Sequence, residues 1–241
     1  MNHISEIAAR AAANARELRP ELEQLDAQRQ AERRAEELAR TLRVSEIPAK
    51  YAGVTIDKLR ISGENRAAID LARTIVEAGS YRRSCGFFGP AGGGKTSVAC
   101  AIANGAIKAG KAARYTTPET LFGRYFSASS YGGDEAVGDL LREFSTTPVL
   151  ILDDFGSEAV SRPKLAFLAE LINARWNADA GCLIVTSNSS FDDLHAKYLE
   201  LAEKAGDRER GTAIMDRVRA LTGDWIPIIN KKSQRVFDGA V

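Results

Sequence analysis

A lysine and a hydroxyl side chain directly after a run of glycines are a set of groups suited to binding phosphate. Lys95 and Thr96 stand in that relation to Gly92, Gly93 and Gly94, and Gly89, followed by Pro90 and Ala91, completes the spacing G-x-x-x-x-G-K-[ST] of a P-loop. Glycines lack a Cβ, so consecutive backbone N–H groups can converge on phosphate oxygens, and the positive end of the following helix dipole faces the same anion. Lys95 would neutralise the β- and γ-phosphates of ATP, Thr96 would place its hydroxyl on Mg²⁺, and Ser97 completes the phosphate-binding stretch. The apolar Cys85 to Phe88 predicts a buried strand before the loop, and Val98 to Ile102 a helix after it. A merely flexible turn has no use for Lys-Thr at a helix start.

A second set of groups lies further along, in PVLILDDF from Pro148 to Phe155. Four apolar residues followed by paired carboxylates are what a buried parallel strand shows when it ends beside a phosphate site, and the segment resembles a Walker B sequence. Asp153 would hold Mg²⁺, directly or through water, and Asp154 would orient or deprotonate the attacking water. A third strand, Gly181 to Ser187, ends in Thr-Ser-Asn. Asn188 can reach the γ-phosphate or the water provided that this strand lies between the P-loop strand and the Asp153 strand.

The elements that must position these groups are an α/β array. Apolar periodicity predicts helices over 64–78, 134–144, 162–178, 191–204 and 212–221, with further strands at Lys111 to Thr117 and at Asp224 to Ile229, the last at a sheet edge because of Pro227. Ser127 to Gly133, rich in Ser and Gly, predicts a loop. The first 45 or so residues, with Leu18, Leu22, Leu25, Leu38 and Leu42 at helical spacing, predict a helical appendage broken near Pro20. It is either a solvated helix or short coiled coil, or a surface for a partner protein. Ile47 to Tyr51 marks the boundary, giving residues 1–46 as an N-terminal segment and 47–241 as the nucleotide-binding domain.

Composition sets the limits. With 241 residues and 44% hydrophobic content the chain can bury a substantial core. The 33 basic and 32 acidic residues leave a net charge of +1, so a nucleic-acid site would have to be a local patch. The three cysteines are isolated in apolar stretches, which predicts reduced core residues and a cytoplasmic setting. No apolar window is long enough to span a bilayer.

A P-loop, then Asp-Asp after an apolar strand, then Thr-Ser-Asn after the next strand resembles the order of an AAA+ ATPase. Ile214 to Arg219, Trp225 and Ser233 to Val236 are similar to the end of the DnaC/DnaI-type helicase loaders, with the transposition helper IstB a slightly more distant match. The resemblance covers roughly residues 47 to 237. It implies a P-loop NTPase fold of the AAA+ type, a five-stranded parallel sheet flanked by helices and preceded by a small helical segment. It also implies that Asn188 is the sensor-I residue, that Arg217 is an arginine finger reaching the nucleotide of a neighbouring subunit, and that Arg235 is the sensor-II arginine on the γ-phosphate of its own subunit. A permanently charged guanidinium supplied across an interface would make hydrolysis conditional on self-association.

The chain departs from the family in having Asp154 where a glutamate is usual, no cysteine cluster in its N-terminal segment, and little sequence after Arg235 from which to build a helical lid. The function implied is ATP-dependent loading of a replicative helicase of the DnaB type onto single-stranded DNA, with the N-terminal segment binding the helicase and no membrane involved. The alternatives are an IstB-like ATPase that assists a transposase and a nucleotide-gated interaction protein with little turnover. Phe122, Arg124, Tyr125, Phe126 and Tyr131 are candidates for base stacking on DNA, although the i,i+4 pairs Leu121–Tyr125 and Phe122–Phe126 suit inward packing equally.

Overall fold

The structure is a computed structural model that describes residues 2–178, 181–223 and 225–229. The chain divides into two compact units, Met1–Arg40 and Thr41–Val241. The first consists of helix alone, part of α1 (Asn2–Val44). The expected break near Pro20 is absent: the backbone passes through position 20 as one helix, because the surrounding Ala, Glu, Arg and Leu are strong helix formers and a proline deletes one backbone bond from a long ladder. The side chains of Leu18 and Leu22 lie outside the described residues, and Leu25 is exposed.

The second unit is a five-stranded, all-parallel sheet in the order β2-β3-β4-β1-β5, formed by β1 (Cys85–Phe88), β2 (Ala113–Thr116), β3 (Val149–Leu152), β4 (Cys182–Ser187) and β5 (Trp225–Pro227). β4 therefore lies between the P-loop strand and the Asp153 strand, which is the condition on which the reading of Asn188 depended. β5 is an edge, as Pro227 predicted, and its Trp225 covers Gly86, where a Cβ would stand 2.4 Å from the indole.

Helices cover both faces. α2 (Arg66–Ala78) packs on α3 (Lys95–Lys108), which lies against β2, β3 and β4. The other face carries α4 (Pro118–Tyr131), α5 (Gly133–Thr146), α6 (Arg162–Ala178), α7 (Phe191–Lys204) and α8 (Arg208–Thr222). Strand residues alternate between the two: Leu150, Leu152, Leu183 and Val185 join Phe122, Phe144, Leu168 and Met215 in the core below α4–α8. With both faces covered, β3 and β4 are buried at every position, which is why they read as unbroken apolar runs. Cys85, Cys100 and Cys182 are free and buried.

The predicted loop from Ser127 to Gly133 is instead the last turn of α4 and a tight corner. Thr117 caps α4 through the N–H of Thr120, the helix runs to Tyr131, and the chain turns at Gly132, where a Cβ would collide with Ala136 at 2.3 Å. Serines inside a helix cost little, so the Ser-rich run did not signal a break. α8 also starts earlier than expected, at Arg208. No helix among the described residues is long and apolar enough to cross a membrane.

Candidate functional site

The loop from Gly89 to Gly94 is held by backbone bonds from Gly89 N–H to Ser187 O (3.2 Å) and from Gly93 N–H to Pro90 O (3.2 Å). Gly89, Gly92 and Gly94 have φ of 140°, 80° and 101°, a region that disfavours L side chains. Gly93 has a different reason to be glycine: a Cβ there would approach the Ile228 carbonyl to 2.8 Å, because the chain leaving β5 crosses directly over the loop.

Lys95 opens α3 and is only 7% exposed. Its Nζ donates to Gly89 O at 2.8 Å, Pro90 O at 3.0 Å and Asn188 Oδ1 at 2.9 Å, which occupies all three ammonium protons. Burial lowers its pKa, and the charges of Asp154 and Asp153 work against that shift.

Asp153 follows β3 and gathers hydroxyls. Thr186 donates to Oδ1 at 2.5 Å, Tyr115 to Oδ2 at 2.7 Å, and Thr96 lies 3.0 and 3.2 Å from the two oxygens. Asp154 sits in a left-handed turn at φ 59°, its N–H bonded to Thr186 Oγ1 at 2.9 Å and its Oδ1 to Asn188 Nδ2 at 2.7 Å. A non-glycine residue in that region is held there by its surroundings. The turn brings the second carboxylate to Asn188.

These groups line a cavity of about 750 Å³. Ala91, Gly92 and Gly94 to Ser97 line it from the glycine loop and the start of α3, and Pro48, Lys50, Tyr51 and Val54 form a further wall. That wall is tied to the P-loop helix by Asn104, whose Nδ2 donates to Tyr51 O and Val54 O at 2.8 Å each. The structure thus brings Lys95, Thr96, Ser97, Asp153, Asp154 and Asn188 into one cavity. Gly89, Pro90 and Gly93 do not line it and instead carry the backbone bonds that hold the loop. Arg217 is half-buried on α8, donates to Ala213 O at 3.3 Å and does not line the cavity of its own chain. Arg235 lies outside the described residues.

Sequence reasoning missed Tyr115, Asn104 and the Pro48–Val54 wall. Asn104 had left a trace, as a lone polar residue in the apolar run Val98 to Ile107 that is nevertheless only 3% exposed. Tyr115 left none, because an aromatic in a strand reads as core. Of the DNA candidates, Phe122 is buried and Tyr125 packs on Phe167 with ring centroids 4.6 Å apart, so these two pack inward. Arg124 is engaged by Glu46 at 3.1 Å and Glu143 at 2.8 Å, leaving Phe126 and Tyr131 exposed.

Residues 1–235 match the family described as IstB-like ATP binding protein. The chain belongs to that family. Among its relatives, an ATP-binding protein of insertion sequence IS21 from Pseudomonas aeruginosa is 30% identical over 130 residues, 54% of this chain and 44% of that protein, so the match spans less than half of the relative. The family's fold is shared with replication proteins. The DnaC helicase loader superposes with a TM-score of 0.62 at 22% identity, over 75% of this chain and 99% of that one. DnaA from Aquifex aeolicus, bound to AMPPCP, gives 0.59 at 19% identity over 76% of this chain and 51% of that one. This IstB-like chain therefore has a P-loop fold of the AAA+ type and belongs to an ATP-binding family.

The donor set also suits a divalent cation. No group of three or more His, Cys, Asp or Glu among the described residues could cage a metal by itself. One carboxylate and one hydroxyl beside a phosphate cradle are the hard-oxygen donors that Mg²⁺ accepts when nucleotide phosphates complete its shell.

Proposed function

We propose that this protein is an ATP-hydrolysing AAA+ subunit that assists a transposase in acting on DNA. The observation that carries the ATPase part is the Asp154 carboxylate, fixed by Asn188 at the rim of the cavity while the same amide holds Lys95. ATP would draw the Lys95 ammonium from the Gly89 and Pro90 carbonyls onto its β- and γ-phosphates. Asp154 would orient a water and take its proton as the water oxygen attacks the γ-phosphorus; the bond to the β–γ bridging oxygen breaks and ADP leaves with that oxygen. Thr96 and Asp153 would hold Mg²⁺, which when bound neutralises the charge on the phosphates. The wall of Pro48, Tyr51 and Val54 would receive the base. Arg217 would act on the site of an adjoining copy, and Arg235 on its own γ-phosphate.

The transposase as partner is supported by the family match over 1–235 and by the insertion-sequence relative. Helicase loading is the second reading, supported by the run Ile214 to Arg219 and by the fold shared with the DnaC helicase loader. In both, residues 1–46 form the partner-binding segment and 47–241 the ATPase domain.

Two measurements test the proposal. Asp154→Asn should bind ATP normally and lose roughly 10²- to 10⁴-fold in turnover, the range for a general base; wild-type turnover that stays at background with DNA and partner present, and is unaffected by this substitution, would leave a nucleotide-gated binder instead. Co-expression of the full chain with its transposase and with a DnaB-type helicase should give ATP-dependent co-purification of the transposase, and recovery of the helicase alone would assign the loader role.

A further inference from the structure

Asp153 has four hydroxyl contacts and they are not equivalent. Thr96 straddles both oxygens at 3.0 and 3.2 Å, whereas Thr186 and Tyr115 each hold one oxygen at 2.5 and 2.7 Å. Thr96 is the hydroxyl that the P-loop needs for a cation. Once it turns away, Tyr115 is the remaining donor to Oδ2 among the described residues. The terminal torsion of an aspartate is broad and roughly two-fold, so the direction of Oδ2 is set by what bonds to it.

Tyr115 is itself held on both sides. It lies in β2 opposite Ile151 of β3, and β2 is the edge of the sheet. Its outward N–H, which an edge strand would leave to solvent, is bonded to Ser45 O at 2.8 Å. Ser45 is fully buried and bonds Leu42 O through its own hydroxyl at 2.7 Å. The neighbouring Arg114 pairs with Glu143 at 2.9 Å. The phenol thus projects from a strand braced along its free edge, and it opens onto the nucleotide cavity.

We propose that Tyr115 is a positioning residue that aligns the Asp153 carboxylate for the divalent cation accompanying the nucleotide. This rests on the ATP-binding site described above, and it adds to the P-loop and the paired aspartates a residue on a third strand. A ligating carboxylate is oriented by its outer hydrogen bonds, and losing one such bond commonly costs 10- to 100-fold in metal affinity.

The test uses the full chain and a fluorescent, non-hydrolysable ATP analogue, titrated with Mg²⁺ and, separately, in EDTA. Tyr115→Phe keeps the ring and should need roughly 10-fold or more Mg²⁺ for half-maximal tightening of nucleotide binding, with affinity in EDTA unchanged. Direct Mn²⁺ binding followed by electron paramagnetic resonance should show the same loss, and an unchanged Tm reports an intact fold. An unchanged Mg²⁺ midpoint, or an equal loss with and without the cation, overturns the assignment of Tyr115 while leaving nucleotide binding in place. Wild-type protein whose nucleotide affinity ignores Mg²⁺ would instead overturn the reading of the site itself.

Discussion

Asn188 divides its amide between the two halves of the site, accepting from Lys95 and donating to Asp154, so neither charged group can move without affecting the other. Four residues beyond Asp154, Glu158 is 8% exposed and accepts the Gly156 N–H at 2.7 Å, while Lys197 donates to Gly156 O at 2.6 Å. Burial pushes the Glu158 carboxyl above its ordinary value near 4.5, and the charge of Asp154 adds to the shift. The folded chain therefore binds that proton more tightly than the unfolded chain. The stabilisation is fully present below pH 4.5 and is lost as pH rises through the higher folded value. Glu158→Gln keeps an acceptor for Gly156 and removes the charge, so its stability relative to wild type should grow from pH 5 to pH 8 in urea unfolding. A difference that stays flat across that range would show that Glu158 does not titrate with folding.

At the scale of elements, α3 does two jobs. Its first turn carries Lys95 and Thr96, and two turns later Asn104 grips the segment that forms the Pro48–Val54 wall. The glycine loop and the wall are thus attached to one rigid rod. Asn104→Ala would leave the Tyr51 and Val54 carbonyls without their donor, costing about 1–3 kcal/mol of stability. It should also weaken ATP binding while leaving pyrophosphate binding unchanged; equal losses for both ligands would show that the damage reaches the P-loop. α6 braces the site from the far side: Arg175, 2% exposed, donates to Phe144 O at 2.8 Å, Thr147 O at 2.9 Å and Cys182 O at 3.1 Å. It thereby ties the end of α5 to the start of β4, so that β3, which lies between them, delivers Asp153 and Asp154 at a fixed height.

At the scale of the whole molecule, a single copy brings the glycine loop, Lys95 and both carboxylates to one cavity, and no arginine among the described residues lines it. If Arg217 serves a neighbour, Arg217→Ala should bind ATP and lose roughly 10³- to 10⁵-fold in turnover. A mixture with Lys95→Ala, which has a spoiled site and an intact Arg217, should regain turnover that neither variant shows alone. A mixture as inactive as its components would place Arg217 outside the reaction.

Phosphate recognition is local chemistry. Consecutive N–H groups, a lysine and a threonine must be contiguous in the chain, so Gly89 to Ser97 could be read directly from the sequence. Buried parallel strands are apolar at every position, so β3 and β4 were legible too, and with them the carboxylates at the end of β3. Tertiary structure alone decided that β4 lies between β1 and β3, that Tyr115 meets Asp153 from a neighbouring strand, and that Asn104 reaches back some 50 residues to Tyr51 and Val54. Those contacts join residues far apart in sequence whose types suit a core equally well, and nothing in local spacing distinguishes a tyrosine that packs from one that holds a carboxylate.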